Sequence, residues 1–383
     1  MRLLPRSSIL RFPDQRSAHI ALTLGLAASG ILAPLQSALT QDRKLTVTPE
    51  LRIRDDFVFV SSLTVDPAGR IAALEWNDKE LHFFAPDGTP LKRFGRTGEG
   101  PGEFTRPLTV GVSPHGFWAT DAAMRATLIS PALTFERNIR FPITIAGLKP
   151  DGLVGPGVPF IVGVGKGDTL LLKVNPPRSK IPFISLITMG RAGEVFIVTT
   201  RDGRFVRSIG STPAAPDCVA ATPDNKRAGV IAMCAGPIAA ANPDGTRIGF
   251  LLQGPSGYAI RMVDSKGVVQ FARTVVTPME KIPAGVADTL FEDVRNIQPG
   301  VKVPELYPPA ERLVIGRDGS AWVLEHQATP GTRWRVIGPH GEGIGIVTLP
   351  PRVRLMVADV GHIWAVAKDE DDLPSIVRYV VRG

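Results

Sequence analysis

The fold is decided by the stretch Gly95-Arg96-Thr97-Gly98-Glu99-Gly100-Pro101-Gly102-Glu103-Phe104-Thr105-Arg106-Pro107, which separates two groups of strand-like segments in this 383-residue chain. Before it, short apolar and polar runs alternate between turn signals such as Pro86-Asp87-Gly88-Thr89. Asp-Gly between alternating runs is a strong hairpin signal. The same order restarts after the stretch. The pattern predicts two sheets of short antiparallel strands joined by a glycine-rich connector.

The two groups agree in register at several landmarks. Gly69 and Gly116, in equivalent turns, are 47 residues apart, and the charged pair Glu75 with Lys79 recurs 46 residues later as Asp121 with Arg125. Repeats of roughly 40 to 50 residues are typical of β-propellers and solenoids. The spacing therefore predicts a propeller whose first two blades lie on either side of the connector.

Further strand groups follow along the chain. They lie at about 160–207, 231–271, 313–349 and 354–380, and the last has only three obvious strands. Two alternating runs near Leu45 to Ile53 stand alone before the first group, as an orphan strand pair. We predict that this N-terminal segment supplies the missing outer strand and closes the ring. The expectation is an all-β, six-bladed β-propeller of four-stranded antiparallel blades over residues 41–383, as a single domain.

One segment breaks the strand pattern. Between about 279 and 300, Val286, Leu290, Val294 and Ile297 recur at three- and four-residue steps, which places them on one helical face. We predict a short helical insertion. It either covers one end of the propeller as a lid or packs at the boundary between neighbouring blades.

The first forty residues have the order of a secretory signal peptide. Four arginines precede an apolar run from Ile20 to Leu35, and small and polar residues follow at Gln36-Ser37-Ala38. The run is shorter than the roughly 20 residues that a spanning helix needs. We predict cleavage of residues 1–40 near Ser37 to Ala38 and a secreted or periplasmic protein with no membrane association afterwards. An uncleaved anchor is the alternative.

Charge does not indicate nucleic-acid binding. The formal net charge of +8 falls to +5 without residues 1–40, because four arginines and Asp14 leave together. The remaining basic residues are scattered rather than clustered into a footprint. We expect a monomer with no nucleic-acid partner.

The two cysteines, Cys218 and Cys234, lie close together between the third and fourth strand groups. In an exported chain this pair could form a disulfide across a hairpin. Two buried thiols packed as small hydrophobic residues are the alternative.

The connector and its surroundings resemble the repeat junction of NHL-type propellers, and especially the secreted six-bladed β-propeller proteins of bacteria. The Leu-x-Val-x-x-x-x-x-Gly run from Leu108 to Gly116 after the connector, the run Asp318 to Val323 and the closing run Val347 to Pro351 carry the resemblance. It covers residues 45–383 and is weak in the middle. It implies the fold and hardly constrains activity, since propellers host unrelated functions.

Candidate chemistry is sparse. The connector lacks the Gly-Lys-Ser/Thr ending of a phosphate-binding P-loop and precedes a strand, and Gly-x-Ser-x-Gly is absent. The acidic run Lys368 to Asp372 is typical of a solvated hairpin tip. Five histidines follow the signal segment without forming a matched set of metal ligands: His82, His115, His326, His340 and His362. No catalytic, metal or cofactor-binding residue is therefore assigned.

Tryptophans recur on the second strand of several blades, at Trp118, Trp322 and Trp364. Their equivalent placement predicts packing between blades, and aromatic rings at a binding rim are the alternative.

The leading hypothesis is a non-catalytic extracytoplasmic binding or scaffold propeller that recognises a peptide, glycan or protein partner. It depends on complete blades without a recognisable catalytic set. The alternative is a metal-dependent lyase or lactonase of the propeller class, which would need three or more convergent ligands for a metal such as zinc or calcium.

Overall fold

Short antiparallel strands make up almost all of the regular structure in the computed structural model, which describes residues 43–122, 125–140, 158–175, 193–224, 226–326 and 332–383. The predicted signal segment lies outside these ranges. The strands of the first half are β1 (Lys44–Ile53), β2–β5 (Val60–Val65, Ile71–Glu75, Glu80–Phe84, Pro90–Phe94), β6–β9 (Pro107–Ser113, Gly116–Asp121, Arg125–Ile129, Phe135–Arg140) and β10–β13 (Val158–Val164, Leu170–Asn175, Val195–Thr199, Phe205–Ser211).

The second half continues the same pattern with two additions, a small hairpin and one α-helix. Its elements are β14–β15 (Val219–Ala221, Ala228–Val230), β16–β19 (Ile238–Ala241, Arg247–Gly254, Gly257–Asp264, Val269–Val276), α1 (Ala284–Ile297), β20–β23 (Arg312–Ile315, Ala321–Glu325, Thr332–Ile337, Gly343–Leu349) and β24–β26 (Val353–Ala358, His362–Lys368, Pro374–Arg382). The strands β9, β14 and β15 were not predicted from the sequence.

Four groups, β2–β5, β6–β9, β10–β13 and β16–β19, each form a separate four-stranded antiparallel sheet. Apart from β14 and β15, which form a separate two-stranded sheet, the remaining strands form one eight-stranded sheet in the order β20-β21-β22-β23-β1-β26-β25-β24. Within it, β1 pairs antiparallel with β26 along nearly its whole length. The prediction that the N-terminal segment adds a strand to the last group is confirmed. It is one strand rather than a pair, with a register irregularity between Pro49 and Leu51.

The sheets are arranged as a propeller. The first strands of neighbouring sheets contact one another, which places them nearest the axis. Apolar side chains fill the spaces between successive sheets, and one such cluster joins β24–β26 to β2–β4. Because a strand points alternate side chains to opposite faces, each sheet can contribute to the cluster on either side.

The connector between the first two sheets is a closed structural loop. Phe104 is fully buried in the cluster between these sheets, and its backbone N–H donates to the Arg96 carbonyl at 2.8 Å. Gly95 has a φ of +111°, and a Cβ there would lie 2.8 Å from the Phe104 ring. Only glycine fits this path. The glycines therefore serve the crossing between sheets, as the sequence indicated.

The two ends of the sheets differ in their connections. We call the end where the first strand of each sheet begins the start face, and the end where it turns into the second strand the turn face. Tight turns form the turn face, such as Asp66–Gly69 and Gly316–Gly319. The long connections 212–237 and 277–311 leave an outer strand and return to a first strand, so they belong to the start face.

These two long connections pack on each other to form what we call the cap: the hairpin β14–β15 with its flanking cysteines, and α1. Phe291 and Val294 of α1 are buried against Ala220 and Ile231 of the hairpin segment. The helix is confirmed, but Val286 of the predicted apolar face is exposed. The helix buries its apolar face against the hairpin, a contact that neither sequence hypothesis for the insertion anticipated.

Candidate functional site

Buried polar side chains fasten the start face. Glu75 and Asp121 are the last residues of the second strands β3 and β7, and both are buried. Glu75 accepts from the backbone N–H groups of Val58 and Phe59, at 3.0 and 2.9 Å. Asp121 accepts in the same way from Thr105, at 2.7 Å. The charged landmarks that set the sequence register therefore hold the chain where it approaches each first strand.

A denser buried network lies at the equivalent position of β21. The Glu325 carboxylate is almost fully buried, accepts from the Tyr258 hydroxyl at 2.9 Å and pairs with Arg335 at 2.6 Å and Arg333 at 3.2 Å. Burial raises the pKa of Tyr258, and the charge of Glu325 raises it further. The tyrosine is therefore a neutral donor to the carboxylate, and the network links β18 to β21 and β22.

The first strands present polar residues at one repeated position. Each of these residues pairs with the penultimate residue of its second strand: Ser62 with Leu74, Thr109 with Thr120, and Arg312 with Leu324. The Ser62 and Thr109 hydroxyls lie 3.2 Å apart across neighbouring sheets. Two sheets thus place small hydroxyls at this level, whereas a third places an arginine there.

Arg312 has no hydrogen-bond or ion-pair partner among the described residues. Its side chain is half-buried on β20. Burial lowers its pKa, and the nearby positive charge of Arg354 lowers it further. Burying a guanidinium beside another one without a carboxylate is unfavourable for folding.

Arg354 lies on the neighbouring first strand, β24. Its Nη2 donates to the Val60 carbonyl, and its guanidinium carbon lies 5.7 Å from the centre of the Phe59 ring. Burial lowers its pKa. Within the described ranges no carboxylate pairs with it. The two arginines therefore leave uncompensated positive charge near the axis at the start face.

Apolar side chains are exposed beside the arginines. Phe59 is 44% exposed and Trp76 is 42% exposed. The backbone N–H of Trp76 donates to the backbone carbonyl of Phe59 at 3.1 Å. Val58 and Leu108 are also exposed at the beginnings of the first two sheets. Exposed aromatic side chains next to arginines are characteristic of binding surfaces.

A cavity of about 340 Å³ lies between the cap and the sheets, and Glu311, Gln253 and Cys234 contribute to its wall. Beside it, the His326 Nδ1 bonds to the Glu311 carboxylate, and the imidazole stacks on Tyr307 at 3.7 Å between ring centres. A carboxylate that orients an imidazole is a recurrent general-base arrangement. Sequence reasoning did not bring these residues together, because they come from different connections.

One group of metal-type side chains converges in the described part of the chain, formed by Asp55, Asp56 and His82. The Arg93 guanidinium already binds both carboxylates, at 2.8 Å from Asp55 and 2.6 Å from Asp56. The hydrogen bond from Arg93 lowers the pKa of Asp56. His82 and Arg93 lie on β4 and β5, away from the first strands. The group is best described as an ion network that anchors the crossing from β1 to β2.

A second cavity, of about 370 Å³, lies at the turn face and is lined by turns of several sheets, including Pro243, Arg317 and Asp359. Arg317 lies over the Trp364 ring at 5.1 Å. The cavity's aspartates accept hydrogen bonds within their own turns, as Asp318 does from the Ser320 N–H at 3.0 Å. This end of the axis is partly closed, since the Val112 N–H donates to the Pro243 carbonyl at 3.0 Å.

Most of the residues singled out in the sequence contribute to packing, a disulfide or a turn. Cys218 and Cys234 form a disulfide that encloses the hairpin of the cap. Trp118, Trp322 and Trp364 are buried, so packing between sheets is confirmed. The acidic run Lys368 to Asp372 forms the tip between β25 and β26. Arg312 and Arg354 were not identified, although an arginine in an otherwise apolar first strand was the available signal.

Comparisons with known proteins assign no family to the chain. No protein-family description matches the chain, and no curated protein matches it either. Within the described residues, no helix has the length and apolar character needed to cross a membrane.

Several solved structures are similar in fold at 12% sequence identity. A protein of Bacteroides fragilis named as exported matches 88% of this chain and 95% of its own, with a TM-score of 0.46. A member of the DUF4221 family from Bacteroides vulgatus matches 89% and 98%, with a TM-score of 0.47. A virginiamycin B lyase from Staphylococcus aureus matches 88% and 99%, with a TM-score of 0.43. Function must therefore be inferred from the residues of this chain.

Proposed function

We propose that the chain is an extracytoplasmic six-bladed β-propeller that binds a peptide, glycan or protein at its start face without transforming it. The blade number is supported by counting the eight-stranded sheet as two blades. Its halves meet at only two residue pairs, Lys44 with Ile346 and Leu45 with Val347, in parallel pairing. By contrast, β1 and β26 pair antiparallel along their length, so β1 is the outer strand of the last blade and closes the ring.

Location outside the cytoplasm is supported by two features. The N-terminal forty residues have the order of a cleavable signal peptide. The Cys218–Cys234 disulfide would persist in an oxidising compartment and is uncommon in the cytoplasm.

Binding at the start face is supported by one observation above the others. The exposed ring of Phe59 lies beside Arg354, the exposed Trp76 bonds through its backbone N–H to Phe59, and Arg354 and Arg312 have no carboxylate partner among the described residues. Exposed aromatic and unpaired cationic side chains do not stabilise the free protein, and they suit a surface that becomes covered by a ligand.

Peptide and glycan arrays test this proposal. We expect the wild-type protein to bind a limited set of spots, and the double variant Phe59→Ala/Trp76→Ala to lose them while keeping its melting temperature. Arg317→Gln, at the turn face, is the matched control and should bind as wild type does. Loss of binding in the control with retention in the double variant would move the site to the turn face and contradict the proposal.

A lyase or lactonase of the propeller class is the second candidate, and the Glu311–His326 pair beside the cap cavity favours it. In that case His326 would act as a base oriented by Glu311. Array ligands incubated with protein and a divalent metal should then be converted to products, and His326→Gln should abolish conversion. Recovery of the ligands unchanged would support the binding function instead.

A further inference from the structure

The start face carries two kinds of contact surface side by side, one cationic and one apolar. Arg312 and Arg354 lie on β20 and β24, first strands that contact each other near the axis. Arg354 extends toward the next sheet, where it reaches the Val60 carbonyl and covers Phe59. The arginine side chains therefore connect the axis to the exposed aromatic ring.

The unused hydrogen-bonding capacity of these arginines is large. A guanidinium carries five N–H donors, and the structure gives Arg354 one bond to a carbonyl and Arg312 none among the described residues. Other arginines in the described chain are used differently. Arg125 is buried and bonds to the Glu99 and Glu103 carbonyls, and Arg335 pairs with Glu325. Arg273 and Arg317 also make a single side-chain bond to a carbonyl and no ion pair among the described residues, so the axial pair is distinguished by lying on adjacent first strands with most of its donors free.

Nearby acidic groups do not neutralise the pair. Glu311, adjacent to Arg312 in sequence, bonds to His326, and Glu75, beneath Phe59, accepts from backbone N–H groups. The hydroxyls of Ser62 and Thr109 occupy the corresponding level of two other sheets and add neutral donors near the axis. The electrostatic and hydrogen-bonding complement of this surface is an oxyanion.

We propose that Arg312 and Arg354 form an axial oxyanion site that binds the acidic group of the ligand, while the exposed Phe59 ring contacts an adjoining apolar part. The inference rests on the proposed binding function and specifies its ligand class: a molecule with a terminal carboxylate, phosphoryl or sulfate group next to an apolar or aromatic moiety. Carboxylate and phosphoryl groups both fit the planar donors of arginine, and the choice between them is made by the probes below.

Calorimetric titration with small probes tests the site. The probes are benzoate, phenyl phosphate and neutral benzyl alcohol, at constant ionic strength. We expect at least one anionic probe to bind the wild type at millimolar concentration and benzyl alcohol not to bind. Arg312→Gln and Arg354→Gln should each weaken binding about tenfold or more, as loss of a charged hydrogen bond does. The anionic probe that binds more tightly identifies the acidic group.

Arg317→Gln is the matched control, because Arg317 also lies over an aromatic ring without a carboxylate partner among the described residues, but at the turn face. It should bind the probes within twofold of the wild type. Equal weakening by Arg317→Gln, or wild-type binding of neither anionic probe, would overturn the oxyanion site.

The melting temperature of the free protein gives a second readout. Arg312→Gln removes a half-buried charge that faces another, so the variant should melt at a higher temperature than the wild type. A lower melting temperature would mean that Arg312 stabilises the fold, and would overturn its assignment to ligand binding.

The array ligands separate this inference from the proposed function. Suppose that the array ligands no longer bind Phe59→Ala/Trp76→Ala but still bind Arg312→Gln and Arg354→Gln. That result would overturn the oxyanion site and leave the proposal of binding at the start face in place. Ligands kept by all of these variants would overturn both.

Discussion

The aspartates of the turn face and the arginines of the start face are both charged groups near the propeller axis, yet they are used in opposite ways. Asp66, Asp244, Asp318 and Asp359 each accept backbone N–H bonds within two to four residues of themselves. Arg312 and Arg354 lack a carboxylate partner among the described residues. A charge that completes its own turn serves the fold, whereas a half-buried charge without a counter-charge is by itself unfavourable for folding.

The connections explain why the two ends differ. Turns at the turn face are short and satisfy their own backbone groups, so they leave little surface to vary. Connections at the start face cross from one sheet to the next, and two of them are long enough to build the cap. Function on rigid scaffolds concentrates in such segments. The following predictions test this division, beginning with the largest expected effect.

Replacing the buried carboxylate Glu325 at the start face should be far more costly than replacing the exposed carboxylate Asp318 at the turn face. Glu325→Gln removes the buried carboxylate charge that Arg333 and Arg335 share, and should lower the free energy of unfolding by about 3–5 kcal/mol. Asp318→Asn keeps an oxygen acceptor for its turn and should cost about 1 kcal/mol. Chemical denaturation of both variants measures the difference. Equal costs would show that the Glu325 network is not a principal support of the start face.

Removing the disulfide should destabilise the cap and leave the local stability of the sheets unchanged. Cys218 and Cys234 are separated by 16 residues, and loop-closure entropy predicts a loss of about 3 kcal/mol for Cys218→Ala/Cys234→Ala. Hydrogen exchange should accelerate in β14, β15 and α1 and remain slow in β2–β5. Wild-type protein under reducing conditions is the control and should behave like the double variant. Uniform acceleration in all sheets would contradict the description of the cap as a separate cluster.

Replacing glycine by alanine should change the free energy of unfolding in opposite directions at the two ends of the propeller. Gly319 at the turn face has a φ of +86°, so Gly319→Ala should cost about 1–2 kcal/mol, although the site has room for a Cβ. Gly285 is in the first turn of α1 with nothing within 4 Å, so Gly285→Ala should stabilise the chain by up to about 1 kcal/mol. Neither change should alter start-face binding. Weaker array binding by Gly319→Ala would indicate that the turn face contributes to the site.

The smallest effect concerns acid stability at the β1–β2 crossing. Arg93 lowers the pKa of Asp56 below its ordinary value of 3.8, so the pair contributes stability above that value. The contribution disappears as the pH falls through the lowered pKa. Asp56 is exposed, so the effect is small. The melting temperature of Asp56→Asn should be slightly below wild type at pH 7 and equal to it near pH 2. A difference that persists at pH 2 would contradict an ionic origin.

The turn face and the connector between the first two sheets were largely predictable from the sequence, whereas the side chains that converge at the start face were not. Asp318-Gly319 and the equivalent turns are recognisable from local sequence, because hydrogen bonds between residues two to four apart close them; Asp318 in addition accepts from the Val360 N–H at 2.8 Å. Together with the charged landmarks Glu75 and Asp121, they set the register, the four-stranded groups and the partner of β1. Arg312 and Arg354, 42 residues apart in sequence, come together only when strands β20 and β24 pack side by side, and the Glu311–His326 pair bridges two elements. Such convergence depends on tertiary packing, which periodicity does not encode.

The most direct test of the start face as the functional end is a crystal of the protein soaked in selenate and examined by anomalous diffraction. Selenate has the shape and charge of sulfate, and its scattering locates bound anions without reference to any natural ligand. We predict an anomalous peak within hydrogen-bonding distance of both Arg312 and Arg354, and no peak there in a crystal of Arg312→Gln. A peak at Arg317 with the axial arginines unoccupied would contradict the account.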